Sequence, residues 1–222
     1  MAVSWTYGDL YNRIADELGG RSDLLAASAN MGTPPIQLAI QDAIKFWERE
    51  RFYFNEIRTT AAFTTIASQE FYTSADAAFI ATLATIDKMT ILISGNRLYM
   101  NPRTEQYMED ISMNPANTGQ PIDYSYYAER IRFYPIPDAA YTVNVLYTQR
   151  FAELVAAADT NAWVKDAEEL IRSTAKMTLY RDTLMDDAGA ARMQAAMQRA
   201  AYALRAETAR RVATRKFTPT YF

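Results

Sequence analysis

Four neighbouring pairs of carboxylates offer this sequence its most direct route to chemistry: Glu48/Glu50, Glu109/Asp110, Glu168/Glu169 and Asp186/Asp187. Glycoside hydrolysis needs two carboxyls facing each other across a cleft, one with a raised pKa. Residues one or two apart on a helix point in different directions, so no pair does this alone. Solvated helix faces are the simpler account of all four. The sequence contains no histidine and no cysteine. That removes Ser-His-Asp triads, imidazole bases, thiolate nucleophiles, disulfides and zinc sites built on those ligands. Its seven glycines form no phosphate loop, dinucleotide fingerprint or calcium loop. No catalytic, cofactor-binding or metal-ligating residue is assigned, and no cofactor is expected.

Three other groupings favour binding over catalysis. Near the C-terminus, Arg199, Arg205, Arg210, Arg211, Arg215 and Lys216 stand against Glu207 alone. They read either as a DNA-facing surface or as a solvated face whose cations suit the helix C-terminal dipole. The strand-like stretches carry Tyr124, Tyr126, Tyr127, Tyr134, Tyr141 and Tyr147. Sheet packing explains most of these, while alternation leaves some rings on an outer face suited to an interface. The last eight residues, Arg215, Lys216, Phe217, Thr218, Pro219, Thr220, Tyr221 and Phe222, have aromatics but no helical repeat. They serve either as anchors for a partner or as a tail folded back on the protein's own helices.

The elements that position these groups follow from periodicity. Tyr7, Leu10, Tyr11, Ile14 and Leu18 form a helical stripe, with Thr6 and Asp9 in a capping arrangement and Gly19-Gly20 as the stop. A short helical turn fits Leu24 to Ala29. Ile36, Ile40, Ala43, Ile44 and Trp47 make a second stripe, entered through Pro34-Pro35 with Thr33 as candidate cap. From Ile57 to Arg150 the signals are mostly β. Strands are expected at 63–66, 71–73 and 86–93, with a hairpin turn at Ser94-Gly95-Asn96-Arg97. Ala75 to Leu83 is ambiguous. A short helix follows over Thr104 to Ile111, capped by Thr104 with Tyr107, Met108 and Ile111 inward. Asn114 to Pro121 reads as loop. Strands at 124–127, 131–134 and 141–148 are then joined by tight turns, Glu129-Arg130 in the first and Pro137-Asp138 in the second. Trp163 to Leu184 reads as a long helix capped by Asn161. Asp186-Asp187-Ala188-Gly189 interrupts it, and Met193 to Thr208 forms a further helix. A helical hairpin is the expected arrangement of these two, one bent helix the alternative.

The expected fold class is α+β: a helical bundle built from N- and C-terminal helices, with a β-rich insert between them in sequence. The expected divisions are 1–56 and 151–212 for the helices, 57–150 for the insert and 213–222 for an extended tail. The chain has 222 residues, half of them hydrophobic, and a net charge of −3. That gives the whole molecule no strong pull towards nucleic acid or acidic lipid. No apolar run approaches the roughly 18 residues of a membrane span. MAVSWTYGDL has neither the basic segment nor the apolar core of a signal peptide, so use without export by that route is expected.

The order of these segments resembles the head-to-tail adaptor proteins of tailed bacteriophages, the connector family that includes the tail tubular protein A type. The resemblance is carried by TYGDLYNRIADELGGRSD (Thr6 to Asp23), AIQDAIKFWERERFYFNE (Ala39 to Glu56), GQPIDYSYYAERIRFYPIPDAAYTVNVLYTQRF (Gly119 to Phe151) and the helices from Trp163 onward. Between Ile57 and Met113 the match is only in general character. The resemblance implies a structural virion protein at the head–tail junction, present in the host cytoplasm during assembly. It implies a ring of copies, dodecameric like the portal it binds, joining head to tail or nozzle proteins. The tail Arg215 to Phe222 would dock on the portal. Arg199, Arg205, Arg210 and Arg211 would line a channel with transient, non-specific contact to double-stranded DNA. No membrane partner is implied. The competing functions are a virion-associated, carboxylate-dependent cell-wall glycosidase and another tail or baseplate component.

Overall fold

The structure is a computed structural model that describes residues 5–27, 32–113 and 117–212. The fold is α+β. In chain order it runs α1 (Tyr7–Glu17), α2 (Pro35–Trp47), β1 (Glu56–Thr64), β2 (Phe71–Tyr72), β3 (Leu83–Ile93), β4 (Asn96–Tyr99) and β5 (Asn101–Pro102). Then come α3 (Glu105–Ile111), β6 (Thr118–Gly119), β7 (Asp123–Tyr127), β8 (Arg130–Tyr134), β9 (Ile136–Pro137) and β10 (Thr142–Gln149). The chain finishes its described part with α4 (Ala162–Asp166), α5 (Glu168–Thr178) and α6 (Asp187–Val212). These elements fall into two compact units: residues 1–54 with 151–222, and residues 55–150.

The helical unit has one apolar core. α1 begins where the sequence places it: Thr6 Oγ1 accepts from the Asp9 amide at 3.2 Å and Asp9 returns the bond to the Thr6 amide at 3.0 Å. α2 starts differently. Its cap is Pro34 and makes no side-chain bond, so Thr33 does not cap it. Pro35 at the first helical position has no N–H to satisfy, which reduces the need for a cap. Tyr7, Leu10 and Ile14 meet Ile36, Ile40 and Trp47, then Leu170 and Ile171 of α5. Phe52 and Phe54 stack with ring centroids 5.6 Å apart, and Trp163 sits edge-on to both. The Trp47 indole donates to Thr174 Oγ1 at 2.9 Å. A fully buried side chain of this kind contributes about 2–3 kcal/mol.

The C-terminal half departs from the expected pair of helices. The first is broken at Ala167, between α4 and α5, and finishes as a π-helical segment over Leu179–Thr183. Met185 then adopts a left-handed φ of 51° and the chain reverses. α6 begins inside the stretch read as an interruption. Asp186 caps it through the Gly189 amide at 2.9 Å, and Gly189 lies within the helix. A side chain at 189 would meet the Tyr180 ring, with Cβ 2.6 Å from the nearest ring carbon, so glycine here permits packing. The helical turn expected at Leu24 to Ala29 starts earlier, as a 3-10 turn over Ser22–Leu25, and residues 28 and 29 lie outside the described residues.

In the second unit, β1-β10-β3-β4 form an antiparallel sheet and β2-β8-β7-β5 a mixed one in which β5 runs parallel to β7, with β6 and β9 paired separately. Alternation in β10 turns Val143, Val145 and Tyr147 inward. Phe63 of the first sheet meets Tyr72 and Phe133 of the second, at 5.3 and 6.0 Å between centroids. The β3–β4 turn is a two-residue Ser94-Gly95 turn with φ of 49° and 82°, the mirror-type geometry that hairpins favour. The ambiguous stretch before β3 is a 3-10 helix, Ala78–Thr82. The last three strands do not form a meander. β7 and β8 pair through a turn at Ala128-Glu129, while β10 crosses to the other sheet beside β1 and β3. α3 is capped by Thr104, and only Met108 is buried; Tyr107 stays 40% exposed under the Arg103 guanidinium.

Candidate functional site

α6 carries the cationic residues singled out in the sequence. Alanine-rich and 26 residues long, it turns Ala200, Ala201 and Thr208 into the helical unit and leaves the opposite side exposed. The four arginines do not share that exposed side. Arg205 lies across Glu50, with Nε–Oε1 at 2.5 Å and Nη2–Oε2 at 2.8 Å, and 5.9 Å above the Trp47 ring. Arg211 bonds Glu207 one turn back at 2.7 Å and covers the Tyr53 ring at 3.7 Å. These bonds from Glu50 and Glu207 push both guanidinium pKa values further up. Both side chains are therefore engaged within the protein.

Arg199 and Arg210 remain exposed and form no ion pair among the described residues. Eleven residues apart on a helix of 3.6 residues per turn, they lie within about 20° of one direction. Arg192, seven residues before Arg199, falls on the same stripe, exposed and 3.9 Å from its nearest carboxylate, Asp186. The three span about 27 Å of helix. Ala195, Ala196 and Tyr202 fill the surface around Arg192 and Arg199, where an open groove runs. Arg192 was missed in the sequence although the same helical spacing reaches it. The eight tail residues, Arg215, Lys216, Phe217, Thr218, Pro219, Thr220, Tyr221 and Phe222, lie outside the described residues.

One member of each carboxylate pair has a structural duty. Glu50 holds Arg205. Glu168 accepts from Arg172 at 2.7 Å and from Arg13 at 3.5 Å. Asp186 caps α6. Glu109 joins Glu70 and Glu105 around Arg132 of β8, at 2.6, 2.6 and 2.9 Å, while Ser112 accepts from the same guanidinium at 2.5 Å. Arg132 is 5% exposed and stacks on Phe71, so α3 is latched onto the outer face of its sheet. Among the described residues, no cluster of acidic side chains is placed to hold a metal ion, and no helix is long and apolar enough to cross a membrane.

Residues 5–219 match the family model described as SU10 adaptor protein. The chain belongs to the SU10 adaptor protein family. This makes the protein a phage adaptor-type structural protein, a virion component that works with other head–tail proteins. The match agrees with the adaptor resemblance at the level of the family. The sequence matches no curated protein. In this adaptor Arg199 and Arg210 of α6, with Arg192 on the same stripe, stay exposed while Arg205 and Arg211 are taken up by internal packing.

Proposed function

We propose that this adaptor assembles as a dodecameric ring, matching the portal's twelvefold symmetry, that joins the portal of the DNA-filled head to the tail and surrounds the DNA exit channel. In this reading it is of the tail tubular protein A type. Residues 1–56 and 151–212 make a helical bundle that forms the ring body, with 57–150 as a β-rich insert contacting tail or nozzle proteins. Residues Arg215 to Phe222 dock on the portal. The observation that carries the proposal is the family match, which extends from residue 5 to residue 219 and so takes in the helices and most of the tail.

The arginine geometry supports the channel. Arg192, Arg199 and Arg210 face DNA, while Arg205 and Arg211 hold the helix in place. Three spaced cations give weak, salt-sensitive and sequence-independent attraction, which suits a conduit that must release what passes through it. The free chain is monomeric or a small oligomer, and the ring forms on the portal. Sedimentation of the adaptor with and without portal tests this, together with side-chain-resolution imaging of the head–tail junction. A stable large ring without portal contradicts portal-dependent assembly. A junction density in which α6 lies far from the channel axis contradicts the DNA-facing role.

A further inference from the structure

Within the β unit, β4 is an open edge. It ends the sheet order β1-β10-β3-β4, pairs only with β3, and has all four residues exposed, Leu98 at 42% and Tyr99 at 67%. Antiparallel strands alternate between bonded and non-bonded residue pairs. The Met100 amide donates to the Met89 carbonyl at 3.1 Å, so counting back along the register Leu98 and Asn96 also bond to β3. Arg97 and Tyr99 therefore turn their amides and carbonyls outward, where no described residue bonds to them. β3 buries Met89 and Ile91 and sends Lys88 to the opposite face, where its Nζ lies 4.0 Å from the centroid of the Tyr99 ring. On that face Lys88, Thr90, Arg97 and Tyr99 line a cleft of about 200 Å³. Neither Lys88 nor Arg97 forms an ion pair among the described residues. Free backbone groups and two unmatched cations thus share one edge.

We propose that β4 is the docking strand for an extended acidic segment of a tail or nozzle protein, which joins the sheet as a fifth strand. The inference rests on the reading of residues 57–150 as the part that contacts those proteins. Strand addition takes its affinity from main-chain bonds and its specificity from alternate side chains. The outward groups of Arg97 and Tyr99 offer one donor and one acceptor each. A residue of the incoming strand opposite either one shares its face, with Cβ atoms about 5 Å apart. An acid opposite Arg97 meets the guanidinium. An acid two places along, opposite Tyr99, meets the Lys88 ammonium held over that ring. The edge therefore selects carboxylates at alternate positions of an extended chain. A second copy of this chain fits that pattern poorly through β1, the other edge of the sheet, whose sequence places Arg58 rather than an acid two positions after Glu56.

The test has two arms. In the first, purified virions are treated with a carbodiimide, which joins amines directly to neighbouring carboxylates, and linked peptides are identified by mass spectrometry. Lys88 is the one lysine between residues 55 and 150, so its links are unambiguous. Expected is a link from Lys88 to an Asp or Glu of a tail or nozzle protein, with a second acid two residues away. If carboxylates of 55–150 link to tail-protein lysines while Lys88 links to nothing, the contact reading stands and the β4 site is overturned. If no residue of 55–150 links to a tail protein, the contact reading itself fails. A link from Lys88 to a second adaptor copy also overturns the proposal. In the second arm, full-length adaptor variants are titrated with purified tails of the same phage. The double variant Lys88→Gln, Arg97→Gln should bind about tenfold more weakly, on the scale of two exposed ion pairs, and lose most of the salt dependence. Tyr99→Pro removes an outward amide, which an edge strand tolerates, and should bind more weakly than Tyr99→Ala. The glutamine variant leaves the backbone untouched, so it decides if Tyr99→Pro folds poorly. Wild-type tail binding by the double variant would show that the cations only guard the edge. Weaker duplex DNA binding with tail binding unchanged would assign the face to nucleic acid. Either result overturns the proposal.

Discussion

Replacing Glu17 with glutamine isolates the ionic network between α1 and α5. Glu17 accepts from Arg13 at 3.0 Å, from Arg172 at 2.8 Å and from Lys176 at 2.9 Å. Lys176 is only 7% exposed. Burial pushes the Glu17 carboxyl up, but the bonds from Lys176 and Arg172, the charge of Arg172 and the bond from Arg13 outweigh it and hold the pKa at about 2, against an ordinary 4.5. At about 1.4 kcal/mol per pH unit that gap corresponds to about 3 kcal/mol. The Glu17 side chain keeps 27% of its exposure, so solvent screening reduces the expected value to about 1–2 kcal/mol. The folded pKa is depressed, so this stability is complete above pH 4.5 and is lost as pH falls through 2. Glu17→Gln should therefore unfold at lower urea concentration than wild type at pH 7, and the difference should vanish towards pH 2. Fluorescence of the buried Trp47 and Trp163 reports the helical unit. A deficit that is the same at pH 2.5 as at pH 7 would refute the charge-based account and leave only lost packing.

Three further outcomes follow from the same packing. Arg132→Ala should destabilise the β unit by about 1–3 kcal/mol in chemical denaturation, through the loss of the buried guanidinium's charge-assisted bonds and its stack on Phe71, since Glu70, Glu105 and Glu109 keep 22%, 26% and 65% of their side-chain exposure and rehydrate; a loss below about 0.5 kcal/mol would show that the cluster adds no net stability. Gly189→Ala should lower stability by about 1–3 kcal/mol through overpacking against Tyr180, whereas helix propensity alone predicts a gain of about 1 kcal/mol, so the sign measured by thermal melting decides. Replacing Arg192, Arg199 and Arg210 together by alanine should reduce the log–log salt slope of duplex DNA binding by up to about 3 in fluorescence anisotropy; Arg205→Ala should leave the slope unchanged.

What could be read from the sequence was local. The 3.6-residue stripe from Tyr7 to Ile14, bounded by Thr6 and by Gly19-Gly20, gives α1 with its cap and its stop, the glycines taking φ of 88° and 74°. Ser94-Gly95 gives its hairpin for the same reason, since few other pairs tolerate two left-handed residues. Partners at long separation were invisible. Alternation in β10 fixes which side chains face inward, but not that β1 and β3 lie beside it. Glycine at 189 reads as a breaker until the Tyr180 ring packed on it is known. The arginines show the limit most clearly. Arg199, Arg205, Arg210 and Arg211 are chemically alike, and only the fold reveals that Glu50, 155 residues before Arg205, removes that one from the exposed set.

The two ends of the β unit also govern how the helical unit closes. The Gln149 amide donates to the Asn55 carbonyl at 2.8 Å, and Glu56 is in register with Thr148. A chain of nearly a hundred residues thus leaves and returns at one place. Bringing the ends of a flexible loop of that length together costs about 4 kcal/mol of entropy, beyond a constant term. Once β1 and β10 pair, that cost has already been met within the sheet. The segment before Asn55 and the segment after Arg150 then meet as if joined by a tight turn. Trp47 and Thr174, 127 residues apart in sequence, are then separated by roughly 30 residues of effective chain, which lowers the entropy cost of bringing them together by about 1 kcal/mol.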